Sequence, residues 1–415
     1  MLTNIFDCPV RVQALRDGPG GPLLEGFAAD LYQAGYAEIT ARRHIRAAEH
    51  LMYWSDREGI RLSDLNDQCL QDFDRHLDRC CCPQYGHTHR SDLANGARLF
   101  LKYLRDAGLV TASITESSAQ EPVLFAAFCH WMRQQRGTCD PTLYNYSLSI
   151  RALLRRLGEE PGRFDAQNLR QFVLEYSQQR GWAAAKKCTT ALRMFLRFLI
   201  AEGQCAPSLD DAIPVLAHWR LSALPRYLQS EEVEQIITSC DPTSMVGRRD
   251  RAILLLLARM GLRAGDIVQL RLGDVDWEGA AIHVSGKGRR QTRLPLTQEV
   301  GHAVAAYLLE GRPRTNTDVL FVRSRAPFRA FASHCAISVI VARAMLRAGI
   351  TCPSRGAAHV LRHSAATSML RHGASLQDIA TLFRHRSIET TQIYAKVDVM
   401  TLRQIAQPWP EMPLC

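Results

Sequence analysis

The chain has 415 residues, a formal net charge of +10, 47% apolar residues and 22% charged residues. This composition excludes a disordered chain and supplies enough apolar side chains for buried cores, and the length allows two to four domains. The longest apolar run, at 252–258, is too short to span a bilayer, and thirteen cysteines with neither a disulfide spacing nor a signal peptide predict a reduced protein of the cytoplasm.

The positive charge is concentrated in the second half of the chain. Residues 226–415 contain 25 lysines and arginines against 16 aspartates and glutamates, whereas residues 1–225 contain 26 against 25. Such an excess favours a polyanionic partner, because each phosphate that a protein neutralises releases counterions; a solvated basic surface is the alternative. Arginine outnumbers lysine 46 to 5, so each lysine position is informative. Unlike a guanidinium, the amine of Lys287 can give up its proton near neutral pH, which indicates that proton donation matters at this position.

Two similar helical units are predicted at 20–110 and 117–206. Each begins with an amphipathic helix, continues through a basic helix that contains Ile-Arg-Ala, and closes on a helix that ends at a glycine. Chance similarity between two amphipathic bundles is the alternative to a duplication. Basic residues on these helices are candidate contacts for DNA phosphates, or else parts of solvated faces: Arg42, Arg43, Arg46, Lys186, Lys187, Arg193 and Arg197.

Three consecutive cysteines, Cys80, Cys81 and Cys82, are followed by His87 and His89. Their spacing matches none of the usual structural zinc sites, and no second spaced pair accompanies them. We therefore predict no metal at this position and interpret the three residues as cysteines near a helix end.

Prolines within 207–229 predict a linker, and Ser230 with the two glutamates after it predicts a helix start. Beyond it the patterns predict a helix through 249–261 and strands at 267–272, 280–284 and 291–296. Five more helices are predicted, at about 297–310, 333–348, 359–372, 375–382 and 387–396. The predicted fold class is therefore mostly α with a small antiparallel three-stranded sheet.

Four strings in this half contain side chains that suit a phosphate: GLRAGD (261–266), GKGRR (286–290), HVLRH (359–363) and FRHRSIETTQIY (383–394). The planar guanidinium fork of Arg263 or Arg362 can bind two phosphate oxygens. His359 lies three residues before Arg362, which places both on one helix face, and histidine transfers protons near neutral pH. Lys287 lies at a predicted hairpin tip, and the phenol of Tyr394 can attack phosphorus once a neighbour takes its proton.

In the order and spacing of these strings, and in the sequence LRHSAATSML, the chain resembles the tyrosine recombinase (phage integrase) family over about 225–400. The resemblance implies six catalytic residues: Arg263, Lys287, His359, Arg362, His385 and Tyr394. In it Tyr394 is the nucleophile, Lys287 the general acid toward the 5′ oxygen, His359 the candidate base and His385 a partner of the scissile phosphate. Asp266, where the family more often has glutamate, is predicted to hold the guanidinium of Arg263. Arg384 stands where the family usually has glycine.

The resemblance also implies the domain organisation, with SAM-like helical DNA-binding domains before an α-rich integrase-type catalytic domain. The predicted boundaries are 1–114 for an extra helical domain, 115–206 for the core-binding domain, 207–229 for the linker, 230–400 for the catalytic domain and 401–415 for a C-terminal tail. The implied activity is site-specific recombination through a 3′-phosphotyrosyl intermediate, without metal or another cofactor, for integration, excision or transposition of a mobile element.

The implied partner is double-stranded DNA, bound by a homo-tetramer, or a hetero-tetramer with related recombinases, on two synapsed sites. We expect the protein in the bacterial cytoplasm, associated with the nucleoid and not with a membrane. Two other functions fit the same fold: a catalytically inactive DNA-binding accessory protein, and DNA relaxation like that of a type IB topoisomerase. The complete set of six residues argues against the first, and two helical units with a possible exchange tail argue against the second.

Overall fold

The computed structural model describes residues 1–82, 85, 89–111, 121–216, 224–285, 291–353, 356–385, 387–398 and 402–403. The chain divides into two compact units, one formed by 1–111 together with 221–415 and the other by 112–220. Within the described ranges, no helix combines the length and apolar character that crossing a membrane requires. The predicted domain boundaries stay predictions, and the predicted tail lies almost entirely outside the described residues.

In the first helical region, residues 1–111, the described part of the chain forms six α-helices: α1 (Leu2–Ile5), α2 (Pro9–Asp17), α3 (Gly21–Gln33), α4 (Glu38–Arg57), α5 (Asp67–Leu77) and α6 (Arg90–Asp106). A 3₁₀ turn at Leu62–Asp64 separates α4 from α5. Phe27, Leu51 and Phe100 are fully buried at its centre, and burial of each such side chain contributes roughly 1.5–3 kcal/mol.

The second helical region, residues 121–216, contains α7 (Val123–Arg136), α8 (Asp140–Leu157), α9 (Ala166–Arg180) and α10 (Trp182–Ala201), with 3₁₀ turns at Pro161–Arg163 and Leu209–Ala212. Phe128 packs edge-on against Phe195 in its core, with 5.5 Å between ring centroids. The order of two helices, a 3₁₀ turn and two helices repeats that of α3 to α6. A duplication stays a prediction, but the two regions have the element order that it requires.

The C-terminal region, residues 224–398, surrounds a helix that is buried on all sides. Its helices are α11 (Ser230–Thr238), α12 (Met245–Ala258), α13 (Ala264–Gln269), α14 (Gln298–Ala306), α15 (Cys335–Arg347), α16 (Ala357–Arg371) and α17 (Leu376–Leu382). All six residues at 252–257 of α12 are fully buried. A π-helical turn, Tyr307–Gly311, follows α14, and 3₁₀ turns at Ile388–Thr390 and Gln392–Val397 follow α17.

One antiparallel sheet, in the order β1-β2-β3, is formed by Val275–Asp276, Ala281–Ser285 and Gln291–Pro295. Its register pairs Ile282 with Leu294. The mostly α fold class with a three-stranded sheet is confirmed. The strand predicted at 267–272 is wrong, because Asp266 accepts a hydrogen bond from the backbone N–H of Arg263 at 3.0 Å and caps a helix start there.

The helix predicted at 387–396 is also wrong in type, since the chain forms two 3₁₀ turns there. The backbone N–H of Thr391 bonds to the carbonyl of Ile388 at 2.8 Å, and that of Tyr394 to the carbonyl of Thr391 at 3.0 Å. These bonds join residues three apart, which winds the chain more tightly than an α-helix. The tighter winding determines where Tyr394 lies.

The first helical region packs on the C-terminal region within their shared unit. The backbone N–H of Phe328 lies 3.5 Å from the carbonyl of Ala34, and its ring lies over Gly35. A Cβ at Gly35 would be 2.4 Å from that ring, and its φ of +80° is one that L side chains rarely adopt. This contact therefore requires glycine at the turn between α3 and α4.

Candidate active site

Arg362, on α16, lies at the centre of the candidate site and is only 5% exposed. Its guanidinium donates from Nη1 to the carbonyl of Gly261 and from Nη2 to the carbonyl of Phe383 at 2.7 Å. The ring of Phe383 lies 4.4 Å from its Cζ, a cation–π contact. Gly261 has a φ of +59°, and a Cβ there would lie 2.4 Å from the same ring. The first glycine of the GLRAGD string therefore permits this packing.

Arg263 precedes α13 and is half-buried. Its Nη2 donates to the backbone carbonyl of Arg384 at 2.9 Å. The carboxylate of Asp266 accepts from the backbone N–H of Arg263 at 3.0 Å and forms an ion pair with the guanidinium of Arg384. Both side chains of that pair are 10% exposed. Asp266 thus supports Arg263 by two routes that the sequence did not indicate, through its backbone and through Arg384.

His385 contacts Arg362 directly. Its Nε2 lies 3.3 Å from Nη2 of Arg362, and its Nδ1 lies 2.7 Å from Oγ1 of Thr391. Burial, followed by the charges of Arg362 and Arg263, lowers the pKa of His385 to about 4. The ring is therefore neutral at pH 7, with Nε2 accepting from the guanidinium and Nδ1–H donating to the threonine hydroxyl.

His359 lies one helical turn before Arg362 on α16 and is exposed. Desolvation of the ring by neighbouring residues, followed by the positive charge of Arg362 and the ring of His334, lowers the pKa of His359. Its ring is therefore neutral near pH 7 and can accept a proton. Burial, and then the neighbouring Arg263, also lowers the pKa of Arg362 to about 9, which leaves that guanidinium cationic at neutral pH.

Tyr394, in the second 3₁₀ turn, is 2% exposed. Its hydroxyl lies 2.9 Å from Nδ1 of His363, which is on α16 beside Arg362. Burial raises the pKa of Tyr394 to about 12, an effect that the charge of Arg362 opposes. Burial lowers the pKa of His363 to about 4, so the neutral imidazole accepts the hydrogen bond from the phenol.

Sequence reasoning missed His363, although the residue belongs to the HVLRH string. No spacing rule distinguishes it, since a residue next to Arg362 on a helix points away from the arginine's own face. Among the predicted catalytic residues, the structure brings five into one neighbourhood: Arg263, His359, Arg362, His385 and Tyr394. The sixth, Lys287, lies outside the described residues, between β2 and β3.

Several candidate DNA contacts already have partners within the chain. Arg42 bonds to the carbonyl of Ile5 and pairs with Asp7 at 2.7 Å and with Glu38. Arg43 lies 3.7 Å from Asp92. These contacts favour structural roles for both arginines, whereas Arg46 is exposed and has no ion-pair partner among the described residues.

In the second helical region, too, some candidate DNA contacts have partners within the chain and others are exposed. Arg193 donates to the carbonyl of Ile213 at 2.9 Å, and Arg197 bonds to Asp210 at 2.8 Å, so both hold the segment after α10. Lys186 lies 5.6 Å from the centre of the Trp182 ring. Lys187 is exposed. Arg46 and Lys187 are therefore the better placed of the seven to meet a phosphate.

Residues 226–400 match the model of the phage integrase family. The chain is 35% identical over 408 residues to y4rA of Sinorhizobium fredii, whose name gives it as an integrase/recombinase, with 96% of this chain and 97% of that protein covered. It is 29% identical to the tyrosine recombinase XerD of Lacticaseibacillus casei, over 65% of this chain and 92% of that protein.

Among solved structures, the fold is similar to that of the XerH site-specific recombinase bound to a palindromic difH substrate in a post-cleavage complex. The TM-score is 0.54 at 19% identity, and the match covers 90% of this chain and 97% of that one. At this identity the likeness is evidence for the fold. The similarity to y4rA extends over nearly the whole chain and includes the first helical region.

Proposed function

Because the chain belongs to the phage integrase family of tyrosine recombinases, we propose that it is a DNA recombinase that cuts and rejoins strands through a 3′-phosphotyrosyl intermediate. Family membership supports site-specific recombination as the activity. One observation supports the phosphotyrosyl step above all. Three separate segments bring Arg263, Arg362 and the pair His385 and Tyr394 into a single neighbourhood of hydrogen bonds and charges.

The two arginines suit the non-bridging oxygens of a scissile phosphate. Arg263 lies close enough to Arg362 to lower its pKa, so the two positive charges repel each other. A phosphate near both guanidinium groups offsets that repulsion, and the negative charge that grows in the transition state offsets it further. His385 accepts from Nη2 of Arg362 and thereby orients the guanidinium plane. Exchange of its tautomer would convert the same nitrogen into a donor for the phosphate.

Tyr394 is the nucleophile in this proposal. Its buried hydroxyl contacts His363, so it leaves this contact before it reaches a phosphate. Attack forms the bond from the phenolic oxygen to phosphorus and breaks the bond from phosphorus to the 5′ oxygen. The phenol proton passes to the exposed imidazole of His359, and the leaving 5′ oxygen takes a proton from Lys287. Attack by a 5′ hydroxyl of the partner strand reverses the step, so the phosphoester energy is conserved.

The experiment is a covalent trap with genomic DNA from the source bacterium. Nicked fragments are incubated with the full chain, the mixture is denatured, and the DNA attached to protein is sequenced from its 3′ ends. We expect the wild type to capture fragments that share one sequence, because the proposed enzyme is site-specific. Tyr394→Phe, which removes only the phenolic oxygen, is expected to abolish capture.

The matched control is Tyr32→Phe, which removes the hydroxyl of a tyrosine that is 61% exposed on α3. It should capture DNA as the wild type does. Capture without a shared sequence, together with plasmid relaxation, would favour the topoisomerase-like alternative. If the wild type captures nothing although it binds the fragments, the protein is an accessory DNA-binding protein and the catalytic proposal is wrong.

The finer parts of the proposal concern assembly and biological role. We infer a homo-tetramer, or a hetero-tetramer with related recombinases, that joins two double-stranded sites and moves a mobile element. The similarity to the integrase/recombinase y4rA over 96% of this chain supports this role. Mass photometry with the captured sequence is expected to detect complexes of four chains on two duplexes. Complexes limited to one chain on one duplex would contradict the assembly.

A further inference from the structure

Four metal-binding side chains lie together in the first helical region, far from the candidate active site along the chain. His50 comes from α4, His76 from α5, and Cys80 and Cys82 from the segment that follows α5. One nitrogen or sulfur atom of each lies within 4.8 Å of those of the other three. We call these four residues the Cys/His cluster.

The distances within the cluster fit a tetrahedral metal site. Nε2 of His50 lies 3.4 Å from Sγ of Cys80, and Nε2 of His76 lies 3.3 Å from Sγ of Cys82. Zinc with Zn–S bonds of about 2.3 Å and Zn–N bonds of about 2.05 Å places such N and S ligands about 3.6 Å apart. Both measured pairs are within a few tenths of an ångström of that separation, and all four ligand atoms lie within 4.8 Å of one another.

The surroundings hold the ligands in place. His50 is fully buried, and its other ring nitrogen, Nδ1, has no hydrogen-bond partner among the described residues. The ring therefore makes its polar contact through Nε2, with the sulfur of Cys80 in the cluster. Tyr85 stacks on it with 4.3 Å between centroids and an angle of 3° between the planes. Phe73 packs edge-on at 5.1 Å from the same ring, so aromatic groups cover His50 on two sides.

We propose that His50, His76, Cys80 and Cys82 bind one zinc ion at a structural site. Two thiolates and two imidazoles form the ligand set that zinc prefers in tetrahedral sites, and the two negative charges balance the ion. With four protein ligands the coordination is closed, which suits a structural role. The ion would join α4, α5 and the segment after α5, and its binding free energy would add to the stability of this region.

The proposed site differs from the sequence prediction that no metal binds near the cysteines. The sequence paired Cys80–Cys82 with His87 and His89, whereas the fold brings His50 from an earlier helix to them. His87 lies outside the described residues. Cys81 is exposed and its sulfur contacts the carbonyl of Arg79, so the middle cysteine is not part of the cluster. That difference supplies a matched control within one tripeptide.

The test measures zinc by mass spectrometry in tag-free, full-length protein produced with zinc in the medium. We expect about one zinc ion per chain in the wild type and in Cys81→Ser. Cys80→Ser and His76→Ala should each lower zinc affinity by more than about tenfold, since even loss of a group that only orients a ligand has that effect. Cobalt added to the metal-free wild type should give the absorption of tetrahedral cobalt with thiolate ligands.

A second measurement keeps the inference testable if the variants fold poorly. Removal of zinc from the wild type by a chelator should lower the midpoint of thermal unfolding, and added zinc should restore it. Wild-type protein that contains no zinc and gives no thiolate–cobalt absorption would overturn the proposal. A disulfide between Cys80 and Cys82 in protein prepared without reductant, with no bound metal, would identify a redox pair instead. These readouts do not depend on recombination, so the site and the proposed function fail separately.

Discussion

Two polar clusters lie in the same compact unit, and they suit ligands of opposite charge. The candidate active site presents two guanidinium groups, of which Arg263 lowers the pKa of Arg362, and the carbonyls of Gly261, Phe383 and Arg384 hold them. The Cys/His cluster presents sulfur and nitrogen lone pairs that face one another. The first arrangement suits an anion such as phosphate, and the second suits a metal cation.

The candidate active site contributes mainly to the reaction, whereas the Cys/His cluster contributes mainly to the stability of the fold. A phosphate binds at the active site only during the reaction, so the fold must hold the arginines without it, which the backbone carbonyls do. A metal that joins two helices and a loop contributes to the fold itself. Substitutions in the first cluster should therefore lower the cleavage rate more than the free energy of unfolding, and substitutions in the second should do the reverse.

The largest effect is expected for Arg263→Ala. Loss of the half-buried guanidinium, which donates to the carbonyl of Arg384 at 2.9 Å, should affect the cleavage rate more than the free energy of unfolding. Loss of one donor to transition-state charge lowers the rate by about 10²–10³-fold. The measurement is the single-turnover rate of adduct formation on the captured sequence, with thermal unfolding in parallel. Arg271→Ala, which removes an exposed ion pair with Asp318, is the control and should change neither quantity much.

A smaller effect on the cleavage rate, but a larger effect on the free energy of unfolding, is expected at Arg384. Its φ of +52° favours glycine, and Arg384→Gly should relieve about 1 kcal/mol of backbone strain. The same change leaves the buried carboxylate of Asp266 without its cation, at a cost of about 3–5 kcal/mol. We therefore expect Arg384→Gly to destabilise the protein and to lower the cleavage rate, because the carbonyl that orients Arg263 moves.

A double-mutant cycle with Asp266→Asn tests this account. The asparagine oxygen can still accept from the backbone N–H of Arg263, and it carries no charge that needs a partner. Arg384→Gly should therefore cost much less stability in the Asp266→Asn background than in the wild type. Equal costs in the two backgrounds would show that the ion pair does not explain the arginine at this position.

The sequence indicated the arginines and the tyrosine because these side chains suit a phosphate and because their strings resemble one family, and their catalytic roles stay predictions. It predicted α16 because apolar residues recur three and four positions apart. It did not predict α13, because residues 267–272 alternate between apolar and polar as a strand does. The hydrogen bond that starts the helix, from the backbone N–H of Arg263 to the carboxylate of Asp266, is visible only in the structure. It missed His50 because metal ligands separated by a helix and a turn have no fixed spacing.

Acid should weaken the active-site region through His363. Burial lowers the pKa of His363 from 6.5 to about 4, so the unfolded state binds more protons between these pH values. Stability is therefore present above about pH 6.5 and is lost as the pH falls toward 4, by at most about 1.4 kcal/mol per pH unit. His385 shifts in the same direction, but its greater contact with solvent makes its share smaller.

The measurement is urea unfolding of the wild type and of His363→Asn between pH 4 and 7. The variant cannot take up that proton, so its stability should fall less steeply with acid. Each protein is measured with excess zinc at every pH, so that protonation of metal ligands affects both equally. Identical slopes would show that His363 does not contribute.

The smallest effect is expected on α4, where two arginines four residues apart have different surroundings. Arg42 bonds to the carbonyl of Ile5 and to Asp7 and Glu38, so its charge is already balanced, whereas Arg46 is exposed. If Arg46 contacts a phosphate, Arg46→Ala should reduce the slope of log K against log salt by about 0.9 for a random-sequence duplex. Arg42→Ala should leave that slope unchanged and instead lower the free energy of unfolding by about 1–3 kcal/mol.

Fluorescence anisotropy across a salt series measures the slope of log K against log salt, and urea unfolding measures the free energy of unfolding. A reduced slope in Arg42→Ala with full stability would mean that this arginine exchanges its internal partners for DNA.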